Sequence, residues 1–250
     1  MWRARAPEPE QIRLIRAARE RFDLHPLVVH ANYLINLASQ DPLIRAKSID
    51  GFRGEIERAA AIGADYLVVH PGSYRGQSVE HGMAAVALGL RDAAIGLRAP
   101  QLTVLLENTA GSGAALGSCF EELQCIRDLA GSLTPLPVGF CLDTCHLLAA
   151  GFDILSALGL RNTLRQAELT LGLENVRVIH ANDSKTPRGS RVDRHANIGE
   201  GHIGREAFRR LLTHPKLRSK PFILETPVDE PGDDRRNLDI LKELGARRKS

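Results

Sequence analysis

The sequence predicts an α/β fold in which parallel strands alternate with helices in a TIM (β/α)8-type barrel. Short continuous apolar runs alternate strictly with longer amphipathic stretches, which is typical of parallel strands buried on both faces. Six of these runs end in a histidine or an acidic residue, 36 to 45 residues apart: His30, His70, Glu107, Asp143, His180 and Glu225. A barrel gathers such strand ends into one site, whereas a doubly wound sheet would spread them along its edge.

The first half of the chain supplies three of the six strands. A helix is predicted over residues 8–22, with its apolar residues on one face. Asp41 and Pro42 predict the start of a second helix, which runs towards Gly63, because Asp caps a first turn and Pro fits the first helical position. The other predicted elements are strands at 27–29, 66–69 and 103–106 and a helix at 79–97.

The second half continues the same alternation. The predicted strands are 138–142, 176–179 and 222–224, and the predicted helices are 120–129, 155–171, 206–212 and 236–244. The basic residues 247–249 are expected to form a solvated end. Only six strand-helix units are visible where a closed barrel needs eight, so we expect an incomplete barrel of six parallel strands. No linker or low-complexity tract interrupts the chain, which favours a single domain over residues 1–250.

Composition excludes several classes of protein. The net charge of +3 permits an anionic partner without requiring one. The four cysteines contain no Cys-x-x-Cys pair, and so large a chain needs no disulfides, so we expect reduced thiols in a cytoplasmic protein. The first ten residues contain no apolar stretch and no run of 18 apolar residues occurs, so we expect neither secretion nor a membrane as a partner.

The strand-end residues are candidate metal ligands, together with residues in the loops that follow. Asp193 and His195 are spaced so that both side chains of an extended segment point the same way and can share one ion. A single histidine such as His180 is more often a hydrogen-bonded core residue. The presence of Asp193 and His195 about a dozen residues further on favours a metal ligand instead. The nine candidates are His30, His70, Glu107, Asp143, His146, His180, Asp193, His195 and Glu225.

This ligand set predicts the metal and its chemistry. Mixed imidazole and carboxylate ligation favours Zn, Mn or Fe over Mg or Ca. Nine ligands at three or four per ion correspond to three metals with one bridging carboxylate. Three divalent cations against four carboxylates leave a positive cluster, which suits hydroxide attack on a phosphodiester.

Six motifs together resemble the endonuclease IV family, the trinuclear-zinc apurinic/apyrimidinic endonucleases of base-excision repair. They run through most of the chain: HANYLINLAS (30–39), HPGS (70–73), LLENTAGSG (105–113), CLDTCHLLAAGFD (141–153), HANDSKTPRGSRVDRHANIGEGHIG (180–204) and ILET (223–226). The resemblance implies cleavage 5′ to abasic sites in double-stranded DNA, leaving 3′-hydroxyl and 5′-deoxyribose phosphate ends. Family members begin with two more strand-helix units. Met1 and Trp2 resemble the segment after the second of those strands, so we expect these units to be missing here.

The resemblance also implies roles for individual residues. Three zinc ions are expected, with Mn²⁺ as an alternative at one position. One zinc would bind His30, His70 and Glu107, a second would share Glu107 with Asp143, His180 and Glu225, and the third would bind His146, Asp193 and His195. The implied catalytic carboxylates are Glu107, Asp143 and Glu225.

The DNA contacts implied by the family lie in two loops. Asn32, Tyr33 and Leu34 would approach or enter the DNA helix, although Tyr33 and Leu34 could equally cover the barrel rim. Lys185 and Arg188 are candidates for phosphate contacts or for a solvated loop. A complete barrel of this family would act as a monomer.

Two other functions compete with this hypothesis. A single-metal sugar isomerase or epimerase would use Glu107, Asp143, His180 and Glu225, but it leaves the other ligands unexplained. A non-catalytic DNA-binding remnant is the second alternative. The NTAGSG stretch lacks the Lys-Ser/Thr of a P-loop and is predicted to be a tight turn, and Cys145 is not predicted to be a nucleophile.

Overall fold

The computed structural model describes residues 5–99 and 101–246, so Met1, Trp2 and the basic end at 247–249 lie outside the described residues. The chain divides into two compact units. The first comprises Met1–Glu107, Gly113–Gly117 and Glu122–Phe140, and the second comprises Asn108–Ser112, Ser118–Glu121 and Cys141–Ser250.

The first unit holds strands in the order β1-β2-β3-β4. The pairs β1–β2 and β2–β3 are parallel, with Tyr66 opposite both Val28 and Thr103. Strand β4 is divided between the two units. The elements are α1 (Pro9–Arg21), β1 (Val28–His30), α2 (Pro42–Ile62), β2 (Tyr66–Val69), α3 (Val79–Ala94), β3 (Thr103–Glu107), α4 (Phe120–Gly131) and β4 (Val138–Asp143).

Local chemistry explains where the longest helix begins and ends. The Asp41 carboxylate accepts hydrogen bonds from the backbone N–H groups of Leu43 and Ile44, and Gly63 closes the helix with a φ of 77°. Both ends of α2 were predicted from the sequence and are confirmed. The helix packs fully buried Phe52 and Ile56 into the core of this unit, alongside residues such as Leu67, Leu90 and Leu105.

The second unit continues the strand order as β4-β5-β8 and adds a two-stranded antiparallel ladder, β6-β7. The β5–β8 pair is parallel, with His180 opposite Ile223. The elements are α5 (Thr144–Ala150), α6 (Ala157–Thr170), a 3-10 turn (Leu173–Asn175), β5 (Val176–His180), β6 (Asp183–Ser184), β7 (His195–Ala196), α7 (Gly204–Thr213), β8 (Phe222–Ile223) and α8 (Asp233–Gly245).

The predicted alternation of six parallel strands with helices is confirmed. Helix α5 and the β6-β7 ladder were not predicted. Strands β1 and β8 are only partly buried rather than fully buried. Among the described residues each of them has a single strand neighbour, so one edge of each strand has no strand partner. Helix α1 contains no buried residue. None of the described helices combines the length and the apolar stretch needed to cross a lipid bilayer.

Candidate metal centre

The first unit brings His30, His70 and Glu107 together at the carboxyl ends of three adjacent parallel strands. Nε2 of His30 and Nε2 of His70 each lie 2.9 Å from Oε2 of Glu107. Glu107 is fully buried, whereas about a third of each histidine side chain is exposed. One donor atom from each of the three residues lies within 4.8 Å of the others, which is the spacing of ligands around a single ion.

The tautomer of His30 makes this group a good fit for a cation. Nδ1 of His30 lies 2.7 Å from the carbonyl oxygen of Ala31, which only accepts hydrogen bonds, so Nδ1 carries the proton. Nε2 then presents a lone pair towards the Glu107 carboxylate. Two electron-rich atoms at 2.9 Å require positive charge between them, from a second proton or from a metal ion.

The second unit collects the other six predicted ligands. Three pairs of side-chain atoms are close: His180 Nδ1 and Glu225 Oε2 at 3.1 Å, His146 Nε2 and Asp193 Oδ2 at 3.1 Å, and His195 Nε2 and Asp193 Oδ1 at 3.2 Å. His195 Nε2 also lies 3.8 Å from Oδ2 of Asp143. Donor atoms of Asp143, His146 and His195 all lie within 4.8 Å of one another.

His146 and His195 have the same arrangement as His30. Nδ1 of His146 donates to the carbonyl of Asn108 at 2.9 Å, and Nδ1 of His195 donates to the carbonyl of Glu225 at 3.0 Å. In each ring Nε2 is therefore the atom available for a metal. His195 Nε2 is buried and has no aligned hydrogen-bond partner, although a carboxylate lies beside it. A buried nitrogen left in this way fits a metal ligand.

Charges in this group shift the pKa values of two residues. Burial lowers the pKa of His195, but Asp193 and Asp143 outweigh burial and raise the pKa to about 9. Burial raises the pKa of Asp193, but His146 and His195 together hold that pKa far below its ordinary range. Asp193 is therefore a carboxylate at any physiological pH, and a positive charge is favoured beside it.

Two buried asparagines that the sequence reasoning did not single out orient the ligands. Nδ2 of Asn182 donates to Oδ2 of Asp143 at 2.5 Å, and Oδ1 of Asn182 accepts from the backbone N–H of Glu225 at 2.8 Å. Asn108 accepts from the Asp143 N–H through Oδ1 at 2.7 Å. Asn108 directly follows the predicted ligand Glu107, and Asn182 lies two residues after the predicted ligand His180. Both asparagines lie within the motifs that carry the family resemblance, and this position was the only sequence signal for their role.

Asp183 fixes the loop that leads to Asp193 and His195. It is fully buried, and its two carboxylate oxygens accept backbone N–H groups from four residues: Ser184, Gly199, Ile203 and Gly204. The β6-β7 ladder pairs Ser184 with His195. The Asp183 side chain thus ties the start of the loop at Ser184 to the segment 199–204 that follows His195. This role was not predicted from the sequence.

The cysteines act neither as disulfides nor as an evident nucleophile. None of the four cysteines forms a disulfide, and their reduced state stays a prediction. Cys145 is buried, and burial together with the Asp143 charge raises the pKa of its thiol to about 12. The neutral thiol is a poor nucleophile, in agreement with the prediction.

The predicted DNA-contact residues lie in two separate loops. Tyr33 is 86% exposed, and Oδ1 of Asn32 accepts from the backbone N–H of Leu34 at 2.9 Å, so this turn presents its aromatic ring to solvent. Lys185 and Arg188 are both exposed. Nε of Arg188 donates to the carbonyl of Gly151 at 2.5 Å, so part of this guanidinium is already engaged.

Comparison with known proteins places this site in a family. Residues 1–244 match the family described as xylose isomerase-like TIM barrel. The chain is 75% identical over 244 residues to the probable endonuclease 4 of Solibacter usitatus, covering 98% of this chain and 84% of that protein. It is 44% identical over 245 residues to the probable endonuclease 4 of Chloroflexus aurantiacus, covering 97% and 85%.

Solved structures agree. The crystal structure of endonuclease IV from Thermus thermophilus matches with a TM-score of 0.83 and 40% identity, covering 98% of this chain and 84% of that one. A D-tagatose 3-epimerase-like protein matches with a TM-score of 0.67 and 23% identity, covering 95% and 83%, which shows a shared fold alone. The chain therefore belongs to the endonuclease IV family of the xylose isomerase-like TIM barrels.

Proposed function

We propose that this chain is a metal-dependent phosphodiester hydrolase that cuts duplex DNA 5′ to abasic sites, leaving 3′-hydroxyl and 5′-deoxyribose phosphate ends. The observation that carries the proposal is the gathering of imidazoles and carboxylates into dense ligand groups, in a chain 75% identical to a probable endonuclease 4. Metal-dependent hydrolysis of a phosphodiester is the chemistry that such a ligand set supports best.

The proposed metals are three zinc ions, with Mn²⁺ as an alternative at one position. His30, His70 and Glu107 would hold one ion, and His146, Asp193 and His195 another. Asp143, His180 and Glu225 would hold the third and share Glu107. When bound, these ions supply Lewis acidity for activating water and for stabilising charge on the phosphate.

The protein contributes orientation and charge. Glu107, Asp143 and Glu225 are the proposed catalytic carboxylates, because each would hold a metal next to the reacting phosphate. Asn32, Tyr33, Leu34, Lys185 and Arg188 are the proposed DNA contacts. We also propose a single domain located in the cytoplasm, and a monomer for the chain with a complete barrel.

A cleavage assay tests the proposed function. The zinc-loaded protein would be incubated with an end-labelled duplex containing one tetrahydrofuran abasic analogue, and with the same duplex lacking the lesion. We expect a single cut 5′ to the analogue, with a 3′ end that a DNA polymerase extends. Binding of the abasic duplex without any cleavage would favour the DNA-binding remnant instead.

Glu107→Gln tests the assignment of this carboxylate. The variant keeps the side-chain shape but removes the charge that the proposed ions share. We expect cleavage to fall at least about 100-fold, with DNA binding largely retained. Glu20→Gln on α1 is the matched control, since Glu20 is exposed and should leave cleavage unchanged. Near-normal cleavage by Glu107→Gln would show that Glu107 does not hold the metals.

The sugar isomerase alternative keeps the contact between His180 Nδ1 and Glu225 Oε2 at 3.1 Å, but it leaves four other predicted ligands without a role. It needs one metal and no role for His30, His70, Asp193 or His195. Each of these residues lies within a ligand group in the structure. Turnover of ketoses by the purified protein, with no DNA cleavage, would revive it.

A further inference from the structure

Arg191 has a backbone conformation that arginine rarely adopts. Its φ is 55°, in the left-handed region, where the Cβ of an L-residue crowds the following carbonyl oxygen. Asp23 is the only other non-glycine residue with positive φ among those the structure describes. A strained backbone persists only where surrounding contacts impose it, and such residues concentrate at functional sites.

The surrounding contacts hold Arg191 from both sides. Its N–H donates to the carbonyl of Ala149 at 3.0 Å, and its own carbonyl accepts from Oγ of Ser112 at 2.6 Å. Two residues earlier, the N–H of Gly189 donates to the carbonyl of Leu148 at 2.9 Å. The loop is therefore fixed on the last turn of α5, the helix that carries His146.

Ser112 belongs to the glycine-rich NTAGSG stretch, in which only Asn108 has been given a role so far. At the other end of the same five-residue segment, Asn108 contacts both Asp143 and His146. The segment Asn108–Ser112 therefore touches the metal ligands and the Arg191 backbone at once. This arrangement gives Ser112 a part in placing Arg191 relative to the ligand group.

The Arg191 side chain is not used within the fold. It is exposed, and its guanidinium makes no hydrogen bond or ion pair with any described residue. Arg191 lies two residues before Asp193, a distance of about 7 Å along an extended chain. The hydrogen bonds to the Arg191 backbone thus hold an unpaired cationic side chain close in sequence to the proposed metal ligand Asp193.

The charge of the whole loop indicates what this cation binds. Residues 185–194 contain four cations, Lys185, Arg188, Arg191 and Arg194, and a single acidic residue, Asp193. Such density suits a polyanion rather than a single small ligand. Because a planar guanidinium binds phosphate oxygens in bidentate fashion, Arg191 is suited to one particular phosphate.

We propose that Arg191 binds a backbone phosphate of the DNA substrate and that Ser112 is the residue that positions it. This inference rests on the proposed function, since it takes the substrate to be DNA. Neither residue is among the DNA contacts implied by the family resemblance. Arg191 would touch the substrate, whereas Ser112 would act through the Arg191 backbone.

The test measures kcat and KM on the abasic-analogue duplex with zinc-loaded protein at salt concentrations between about 50 and about 200 mM. Over this range the salt dependence of binding reports the number of phosphate contacts. For Arg191→Ala we expect KM to rise about tenfold with kcat within about twofold, as for one lost charged hydrogen bond. The slope of log kcat/KM against log salt should shrink by about 0.9, one phosphate contact. Zinc content should not change.

Arg161→Ala is the matched control, because Arg161 is exposed on α6 and forms no hydrogen bond or ion pair with a described residue. It should leave the salt slope unchanged. Arg191→Gly separates strain from charge: glycine accepts positive φ, so this variant should fold normally yet match Arg191→Ala in KM and slope. Ser112→Ala should raise KM about threefold while keeping the wild-type slope, since the cation remains.

A wild-type salt slope in Arg191→Ala or Arg191→Gly would overturn the phosphate contact. Wild-type KM in Ser112→Ala would overturn the positioning role. Failure of the wild-type chain to cleave the abasic duplex is a different result, because it would contradict the proposed function itself and this inference with it.

Discussion

At the scale of single residues, Asn182 has more influence on the metal centre than its neutral amide suggests. Both ends of its amide are used, one by the Asp143 carboxylate and one by the Glu225 backbone, and the residue is fully buried. Partners of this kind hold ligands in the orientation that a metal needs. The ligand geometry thus depends on a residue that would not touch the ion.

We therefore expect Asn182→Ala to weaken zinc binding about 10- to 100-fold. The measurement is zinc affinity by competition with a chromophoric chelator. Asn162→Ala is the matched control, since Asn162 is exposed on α6 and should leave affinity unchanged. Wild-type zinc affinity in Asn182→Ala would mean that the Asp143 side chain holds its orientation without the amide.

The proton on His195 predicts how zinc binding depends on pH. In the metal-free chain the pKa of His195 is raised from 6.5 to about 9. A raised pKa in the folded state adds stability that is fully present below about pH 6.5 and lost as the pH rises through about 9. Zinc needs the unprotonated Nε2, so binding at about pH 7.5 must displace this proton.

We expect zinc binding to release about one proton from His195 at about pH 7.5 and to tighten as the pH rises towards about 9. Calorimetric titration of metal-free protein in two buffers of different ionisation enthalpy measures this release. His195→Ala is the comparison variant, and it should release about one proton fewer. Equal release from both proteins would contradict the assignment of the proton to His195.

At the scale of elements, the loop between β7 and α7 depends on close packing around Asp183. A Cβ placed on Gly201 would lie 2.4 Å from both Asp183 Oδ1 and the Ser184 carbonyl oxygen. The Ser184 backbone is paired with His195 in the β6-β7 ladder, so it cannot move away from an added Cβ without breaking that pairing. Gly201 is therefore required for close approach, and an added methyl group must distort the ladder that carries His195.

We predict that Gly201→Ala destabilises the protein by about 1–3 kcal/mol, as overpacking does. Gly131→Ala is the control, because a Cβ there meets nothing within 4 Å, and a small gain of about 0.5 kcal/mol is expected. Denaturant unfolding of both variants measures the difference. Equal stability of the two variants would show that the loop adjusts to the added methyl group.

Most elements were predictable because their apolar residues follow a simple period. Strand β2 was predicted with its observed ends, since an apolar run of four residues between Asp65 and His70 is too short for a helix. Helix α5 was missed because six of its seven residues are buried. A helix buried on all sides has no polar face, so it shows no helical periodicity.

The same contrast applies to the candidate site. Strand-end ligands such as His70 and Asp143 were predictable because parallel strands bring their carboxyl ends to one edge of a sheet. Asn108, Asn182 and Asp183 act through hydrogen bonds to residues up to 43 positions away. No local pattern encodes such contacts, so these three roles emerged only from the structure.

At the scale of the whole molecule, both compact units contribute ligands: three come from the first and six from the second. When no metal is present, a proton on His195 balances part of the negative charge of Asp193 and Asp143, which raise its pKa to about 9. Metal binding replaces this proton with a cation held by the folded chain and is therefore coupled to the stability of the fold. Activity should depend on how many ions the chain holds.

The most direct test of a multinuclear zinc nuclease is one titration. Metal-free protein receives zinc in steps, and cleavage of the abasic duplex is measured at each bound zinc-to-chain ratio. We predict little cleavage below one zinc per chain and a plateau close to three, as nine ligands at three or four per ion require. Full cleavage at one zinc or fewer, or none at any ratio, would contradict this mechanism.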